Sequence, residues 1–170
     1  MPGLRAAGLI AGLCLLAACG SPDIGDSRHS LRRADVPIWS AAAFAPERIA
    51  GRWYQAAAIS GKGCDAQAVE FAPQSNGGLA VQGQLCLDGK RQALSGPVGM
   101  VGPGRLSVPG MKDWWVIWVD ADYRTMAIAT PGGEFGFVLD RGQIPSDRLD
   151  AAAELFDFNG YDRTRLDRLR

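Results

Sequence analysis

The segment Gly51-Arg52-Trp53-Tyr54-Gln55, preceded by Phe44-Ala45-Pro46-Glu47-Arg48-Ile49-Ala50 and followed by Ala56-Ala57-Ala58-Ile59-Ser60, decides how the rest of the chain reads. A glycine followed by two large aromatics opens a stretch of β-type text, which is either ordinary core or the floor of a binding site. The same pattern recurs downstream. It predicts strands over residues 53–59, 66–71, 79–87, 91–100, 105–108, 114–119, 123–129 and 135–139. Clear breakers stand between them: Ser75-Asn76-Gly77-Gly78, Asp88-Gly89, Gly102-Pro103-Gly104, Pro109-Gly110 and Pro131-Gly132-Gly133. Eight strands with hairpin-length links predict an all-β fold, an eight-stranded antiparallel up-and-down barrel whose closure removes exposed edges.

One later segment has helical spacing. Leu149, Ala152, Ala153 and Phe156 form a single apolar stripe, Ser146 can cap its start, and Gly160 stands where a left-handed C-terminal cap belongs. This C-terminal α-helix is expected to pack outside the barrel.

The N-terminus reads differently. Arg5 is followed by an uncharged apolar run from Ala6 to Ala18, too short to span a bilayer comfortably, so residues 1–18 read as a signal peptide. The run ends in Leu16-Ala17-Ala18-Cys19, which resembles the lipobox of bacterial lipoproteins. Cleavage before Cys19 and acylation of its thiol follow from that resemblance; the alternative is an ordinary secretory signal with a chance cysteine. Gly20 after the cysteine is similar to the pattern that directs such proteins to the outer membrane. Residues 19–43 mix charge, Pro, Gly and Ser and read as a lipidated tether, with Val36-Pro37-Ile38-Trp39 able to dock on the domain.

Four cysteines then sort themselves: Cys14 leaves with the signal peptide, Cys19 carries lipid, and Cys64 and Cys86 remain in an oxidising compartment. A hairpin turn centred near Ser75 sets Cys64 opposite Cys86. Both share parity with Glu70 and Gln82, opposite to Val69, Phe71, Val81 and Leu85. A structural disulfide on the outer face near one rim is expected.

At this point the chain resembles the lipocalins, and within them the bacterial outer-membrane lipoproteins related to apolipoprotein D and plant temperature-induced lipocalins. The stretch from Phe44 to Tyr54 is similar to that family's short helix followed by Gly-x-Trp-Tyr. Asp120-Ala121-Asp122-Tyr123-Arg124 is similar to its Asp-Tyr turn. Phe137-Val138-Leu139-Asp140-Arg141, followed by the helical segment, is similar to its closing strand and arginine. The resemblance covers residues 44–166 and makes 44–170 the lipocalin domain. It implies structural roles for Gly51, Trp53, Asp122, Tyr123 and Arg141, with Trp53 as the floor and Arg141 stacked over it.

Taking Trp53 as inward, alternation places the ligand wall at Gln55, Ala57, Ile59, Val69, Phe71, Val81, Gly83, Leu85, Trp114, Val116, Trp118, Ala127, Ala129, Phe135 and Phe137. Tyr54 and Trp115 face out. A slip of one residue exchanges these roles.

Catalysis and metal binding find no support. The only histidine, His29, lies in the tether, and no Cys, His and carboxylate cluster has ligand spacing. No cofactor is expected. Eighteen Lys plus Arg against eighteen Asp plus Glu give no basic patch for nucleic acid. The implied function is a non-enzymatic, membrane-anchored, periplasm-facing outer-membrane binder of a fatty acid or lysophospholipid-like molecule, for lipid transport, storage or envelope maintenance. The alternative is a lipoprotein acting through protein contact, as in lysozyme inhibition.

Overall fold

The structure is a computed structural model that describes residues 30–170. The expected signal peptide with Cys14, the Cys19 expected to carry lipid, and His29 lie outside the described residues. Nine strands and one α-helix follow a short 3-10 turn at Pro46–Ile49: β1 Gly51–Ile59, β2 Ala68–Pro73, β3 Leu79–Leu87, β4 Lys90–Gly102, β5 Arg105–Ser107, β6 Trp114–Val119, β7 Thr125–Ala129, β8 Gly136–Asp140, α1 Ser146–Phe158 and β9 Leu166–Arg168. Neighbouring strands pair antiparallel from β1 round to β8, and β8 returns to β1, so the eight-stranded barrel is closed. Two ends result. The rim end carries the β1–β2, β3–β4, β5–β6 and β7–β8 loops. The floor end carries the start of β1, the other three hairpins and Arg141.

The ninth strand was not legible in the sequence. Along one edge of β1, β2 occupies Gly51 to Tyr54, and β9 takes over at Ala57 to Ile59. Where β2 has left, Gln55 fills the gap: its amide oxygen accepts the Cys86 N–H at 2.7 Å and its amide nitrogen donates to the Cys86 carbonyl at 2.7 Å.

Two β-bulges decide which side chains face inward. Opposite β8, Gln55 pairs with Leu139 and Ala57 with Val138, so Ala56 is an extra residue. Opposite β7, Val116 pairs with Ile128 and Trp118 with Ala127, so Ile117 is extra. Each insertion reverses the alternation beyond it. Two buried clusters reflect this. One fills the barrel around Trp53, Ala58, Trp114, Val116, Met126, Ile128, Phe137 and Leu139. The other lies between barrel and helix, where Ala57, Ile59, Ile117, Ala127, Ala129 and Val138 meet Ala152, Phe156 and Tyr161.

Helix α1 starts one residue earlier than the capping expectation: Pro145 is the N-cap and Ser146 the first helical residue. Its end is as expected, with Gly160 at φ +89° and N–H bonds from Gly160 to Asp157 and from Tyr161 to Phe156. Arg148 ties the helix to the barrel, donating to Thr125 Oγ1 at 2.8 Å and lying 3.5 Å from the Asp140 carboxylate. Among the described residues no helix is long and apolar enough to cross a membrane.

Cys64 and Cys86 are bonded, with an S–S distance of 2.08 Å. The geometry behind the expectation is corrected. Val69 pairs with Gly83 and Glu70 with Gln82, a register that, extended to Cys86, would reach Ala66. Cys64 instead sits in the β1–β2 loop, which turns back over Cys86; Cys86 keeps the outward parity of Gln82 and Gln84 in an unbroken register and is buried by that loop.

Residues 30–45 form a strap along the outside. Leu31 N–H bonds Gly133 at the rim end, Arg33 bonds Gly160, Trp39 bonds the Asn159 side chain, and Ala41 bonds Val116. The docking expected for Val36 to Trp39 is seen here, with Ile38 packed on the helix-side cluster while Trp39 stays exposed. The Arg32 guanidinium donates to the carbonyls of Asn159, Pro131 and Val36.

Tyr161 supplies a pH-dependent contribution. Its hydroxyl accepts the Thr130 N–H at 3.1 Å and lies 2.9 Å from the carbonyls of Thr130 and Phe135. Burial pushes this hydroxyl above its ordinary 10.0, against the lowering effect of the Thr130 hydrogen bonds and the Arg32 charge. The folded protein therefore holds the proton longer than the unfolded chain. Its contribution is complete below pH 10 and is lost as pH rises through the folded pKa. Urea midpoints measured between about pH 9 and pH 11 should fall at the alkaline end, and Tyr161→Phe should flatten that fall. An equally steep fall in the variant would assign the effect to other groups.

Candidate functional site

The floor is built from two stacked cation–aromatic pairs. Trp53 is fully buried and its indole N–H donates to the Ile49 carbonyl at 2.7 Å. The Arg141 guanidinium lies 4.0 Å from the Trp53 ring centroid and reaches the carbonyls of Arg48 at 3.0 Å and Arg52 at 3.3 Å. Burial lowers its pKa from the ordinary guanidinium value. Beside it, Arg48 stacks 4.0 Å from the Tyr123 ring, whose hydroxyl accepts the Ala45 N–H at 2.6 Å. Gly51 is required here: at φ +100°, a Cβ would stand 3.0 Å from an Arg141 nitrogen. The turn holding Tyr123 is capped by Asp120, whose carboxylate accepts the N–H of Arg124 at 2.6 Å and Thr125 at 2.7 Å. Asp122, the residue singled out from sequence, makes only an exposed ion pair with Arg124.

Above the floor, the structure brings together Gln55, Val69, Phe71, Val81, Leu85, Trp114, Val116 and Phe137, all 1 % exposed or less, with Phe135 near the rim. Gly83 shares their parity. Ala57, Ile59, Trp118, Ala127 and Ala129 are corrected: they lie on the outer side, in the layer beneath α1. The bulges at Ala56 and Ile117 carry Ala57, Ile59 and Trp118 across. Ala127 and Ala129 follow the β6 register, since Trp115 pairs with Ala129. Their small side chains let the helix approach the sheet instead of leaving room inside. Sequence reasoning missed Ala58, Leu94, Leu106, Met126, Ile128 and Leu139 as interior residues. Gln55 is spent on bridging β1 to β3. The Trp114 indole N–H, edge-on to Phe137 at 5.1 Å between centroids, is the buried side-chain donor that lacks an acceptor among the described residues.

The two ends differ. At the rim, Leu87, Val108, Phe135 and Leu169 are all buried. The β1–β2 loop there is held by the disulfide and by Ala66 N–H to Arg170, while Leu169 N–H bonds Ala56. At the floor end, beside the Trp53–Arg141 stack, a cleft of about 210 Å³ opens between the 3-10 turn and the β2–β3 hairpin. It is lined by Pro46, Glu47, Pro73, Leu79, Val98 and Met100, with the hairpin residues at its edge. Leu79 and Val98 face each other across β3 and β4, on the same side of the sheet as Val81. Met100 is 47 % exposed and Val101 54 %.

A closed antiparallel barrel with an apolar, charge-free interior and a helix on its wall defines a binding protein for small hydrophobic molecules. The family model described as a lipocalin-like domain matches residues 45–170, and the chain belongs to the lipocalin family. It is similar to temperature-induced lipocalin-1 of Arabidopsis thaliana, with 26% identity over 141 residues, covering 71% of this chain and 75% of that protein. Its fold is similar to that of the major allergen Per a 4 from cockroaches. The TM-score is 0.57 at 9% identity, covering 81% of this chain and 95% of that one. Among the described residues no group of three His, Cys, Asp or Glu side chains is placed to hold a metal ion.

Proposed function

We propose that this lipocalin is an outer-membrane lipoprotein, anchored through Cys19 and facing the periplasm, that holds a fatty acid or lysophospholipid-like molecule for transport, storage or envelope maintenance. The observation that carries the ligand reading is the interior: side chains from Val69 to Phe137 are apolar apart from the Trp114 N–H, and the cleft borders this cluster at Leu79 and Val98. Affinity for an acyl chain would come from burial, at about 0.8 kcal/mol per methylene. The anchor reading is supported by the apolar run Ala6 to Ala18 that ends at Cys19.

Purified protein extracted with organic solvent should yield an apolar molecule by mass spectrometry. A fluorescent fatty-acid probe should bind saturably and be displaced by that extract. No co-purified lipid together with no saturable binding would overturn the reading. The close filling of the interior above the cleft favours a second reading, action through protein contact such as lysozyme inhibition. A pull-down with lysozyme separates the two.

A further inference from the structure

The interior cluster is packed from the floor at Trp53 up to the rim, so an acyl chain enters only where a side chain withdraws. At the rim, one member of the cluster is carried by a segment that is not part of the barrel. Leu169 follows β9 and is buried within the interior cluster, while Arg168 and Arg170 on either side of it are exposed. The segment Leu166–Arg170 straddles the barrel wall: Leu166 packs on the helix-side cluster, and Leu169 turns the other way, into the interior. Its Cδ2 and the Cβ of the interior Ala58 stand 3.0 Å and 3.2 Å from the point that a Cβ on Gly61 would occupy. Leu169 enters beside Ala56, at the break where β2 has left the edge of β1 after Tyr54 and β9 takes it over only from Ala57. On the outside of the same break, a cleft of about 370 Å³ is lined by Gln55, Ala56, Ala66 and Leu169.

The bonds around Leu169 decide which part moves. The β1–β2 loop above it is fixed covalently to β3 by the Cys64–Cys86 bond. Leu169 and Arg170 are held by two backbone hydrogen bonds, from Leu169 N–H to the Ala56 carbonyl at 3.0 Å and from Ala66 N–H to the Arg170 carbonyl at 2.9 Å. Ala56 and Ala66 both line the outer cleft, so water takes over these bonds when the two residues swing out. Upstream, the β9 pairs and the Ser60 N–H bond to the Arg165 carbonyl at 2.8 Å keep the segment attached. The contacts that Leu169 gives up are with apolar side chains, which an acyl chain restores.

We propose, resting on the ligand-binding reading above, that Leu169 is a built-in occupant of the ligand site. The acyl chain takes the place of its side chain, and Leu169 and Arg170 swing outward as it does. The segment thus competes with the ligand, and the apparent affinity is the intrinsic one reduced by the fraction of molecules in which Leu169 is withdrawn.

Fluorescence titration of the full chain with dansylaminoundecanoic acid, a fatty-acid probe, reads this competition. Leu169→Ala should bind the probe about tenfold more tightly than wild type. Ile144→Ala, a truncation of similar size in the helix-side layer, should stay within about twofold. Affinity in Leu169→Ala no higher than in wild type, or an equal gain in Ile144→Ala, would overturn the competition while leaving the ligand-binding reading intact. No probe binding by either wild type or Leu169→Ala would remove both. Amide hydrogen exchange of the wild-type protein needs no variant and responds to movement, which vacated volume alone does not produce. With saturating dodecanoate, the Leu169 and Ala66 N–H groups should exchange about tenfold faster than in the free protein. Unchanged or slower exchange at these two amides would overturn the displacement.

Discussion

Trp53→Ala should lower the unfolding free energy by about 4 kcal/mol, the largest effect of any single truncation in the barrel. Three losses coincide. A fully buried indole is removed, the Ile49 carbonyl loses its donor, and Arg141 loses the ring over which it stacks at 4.0 Å. Arg141 would then remain with only carbonyl partners from Arg48, Arg52 and Tyr123. Trp53→Phe keeps most of the apolar volume and removes the N–H, so about 1–2 kcal/mol is expected. Urea denaturation with an unchanged slope measures both. A Trp53→Ala variant within about 1 kcal/mol of wild type would show that the floor is not a stability element.

The second large effect is covalent. Replacing Cys64 and Cys86 together by alanine opens a loop spanning 22 residues, which the chain-entropy account values at roughly 3 kcal/mol. For a domain of this size that corresponds to a melting temperature lower by about 10 °C. Reduction of the wild-type protein should reproduce the shift, and reducing agent should leave the double variant unmoved. The Gln55 amide is the internal control. It links β1 to the backbone of residue 86 in β3, which the substitution keeps, so the interior should stay assembled in the double variant.

Much of this is legible in the amino-acid sequence. Trp53, Tyr123 and Arg141 stand in ordered motifs whose residue types serve few other purposes, and Arg141 stacks over Trp53 as expected, whereas the pairing of Tyr123 with Arg48 was not foreseen. The apolar stripe of α1 and Gly160 likewise read correctly, because helical period and left-handed glycine are local signals. The cavity wall did not. β7 and β8 are buried at every residue, as α1 covers their outer face, so no polar side alternates with the apolar one. In Ala56-Ala57-Ala58 and Val116-Ile117-Trp118 nothing marks which residue is the extra one, yet that single insertion decides the face of every side chain beyond it. β9 is too short, at Leu166 to Arg168, to show alternation, and it exists only because β2 abandons the edge of β1.

The strap bears on how the domain responds to force. Tension applied at Ser30 falls first on the Leu31–Gly133 bond, then on the Arg32 bonds to Asn159 and Pro131, and afterwards on Arg33–Gly160, Trp39–Asn159 and Ala41–Val116 in turn. These attachments are loaded one after another, not side by side, so each yields at low force while the barrel beneath carries none. Complete peeling back to Ala45 pays out about 50 Å of slack before the pull reaches Trp53. The strap therefore works as a mechanical fuse and a reserve of length: a pull applied at Ser30 peels it away before it unfolds the barrel.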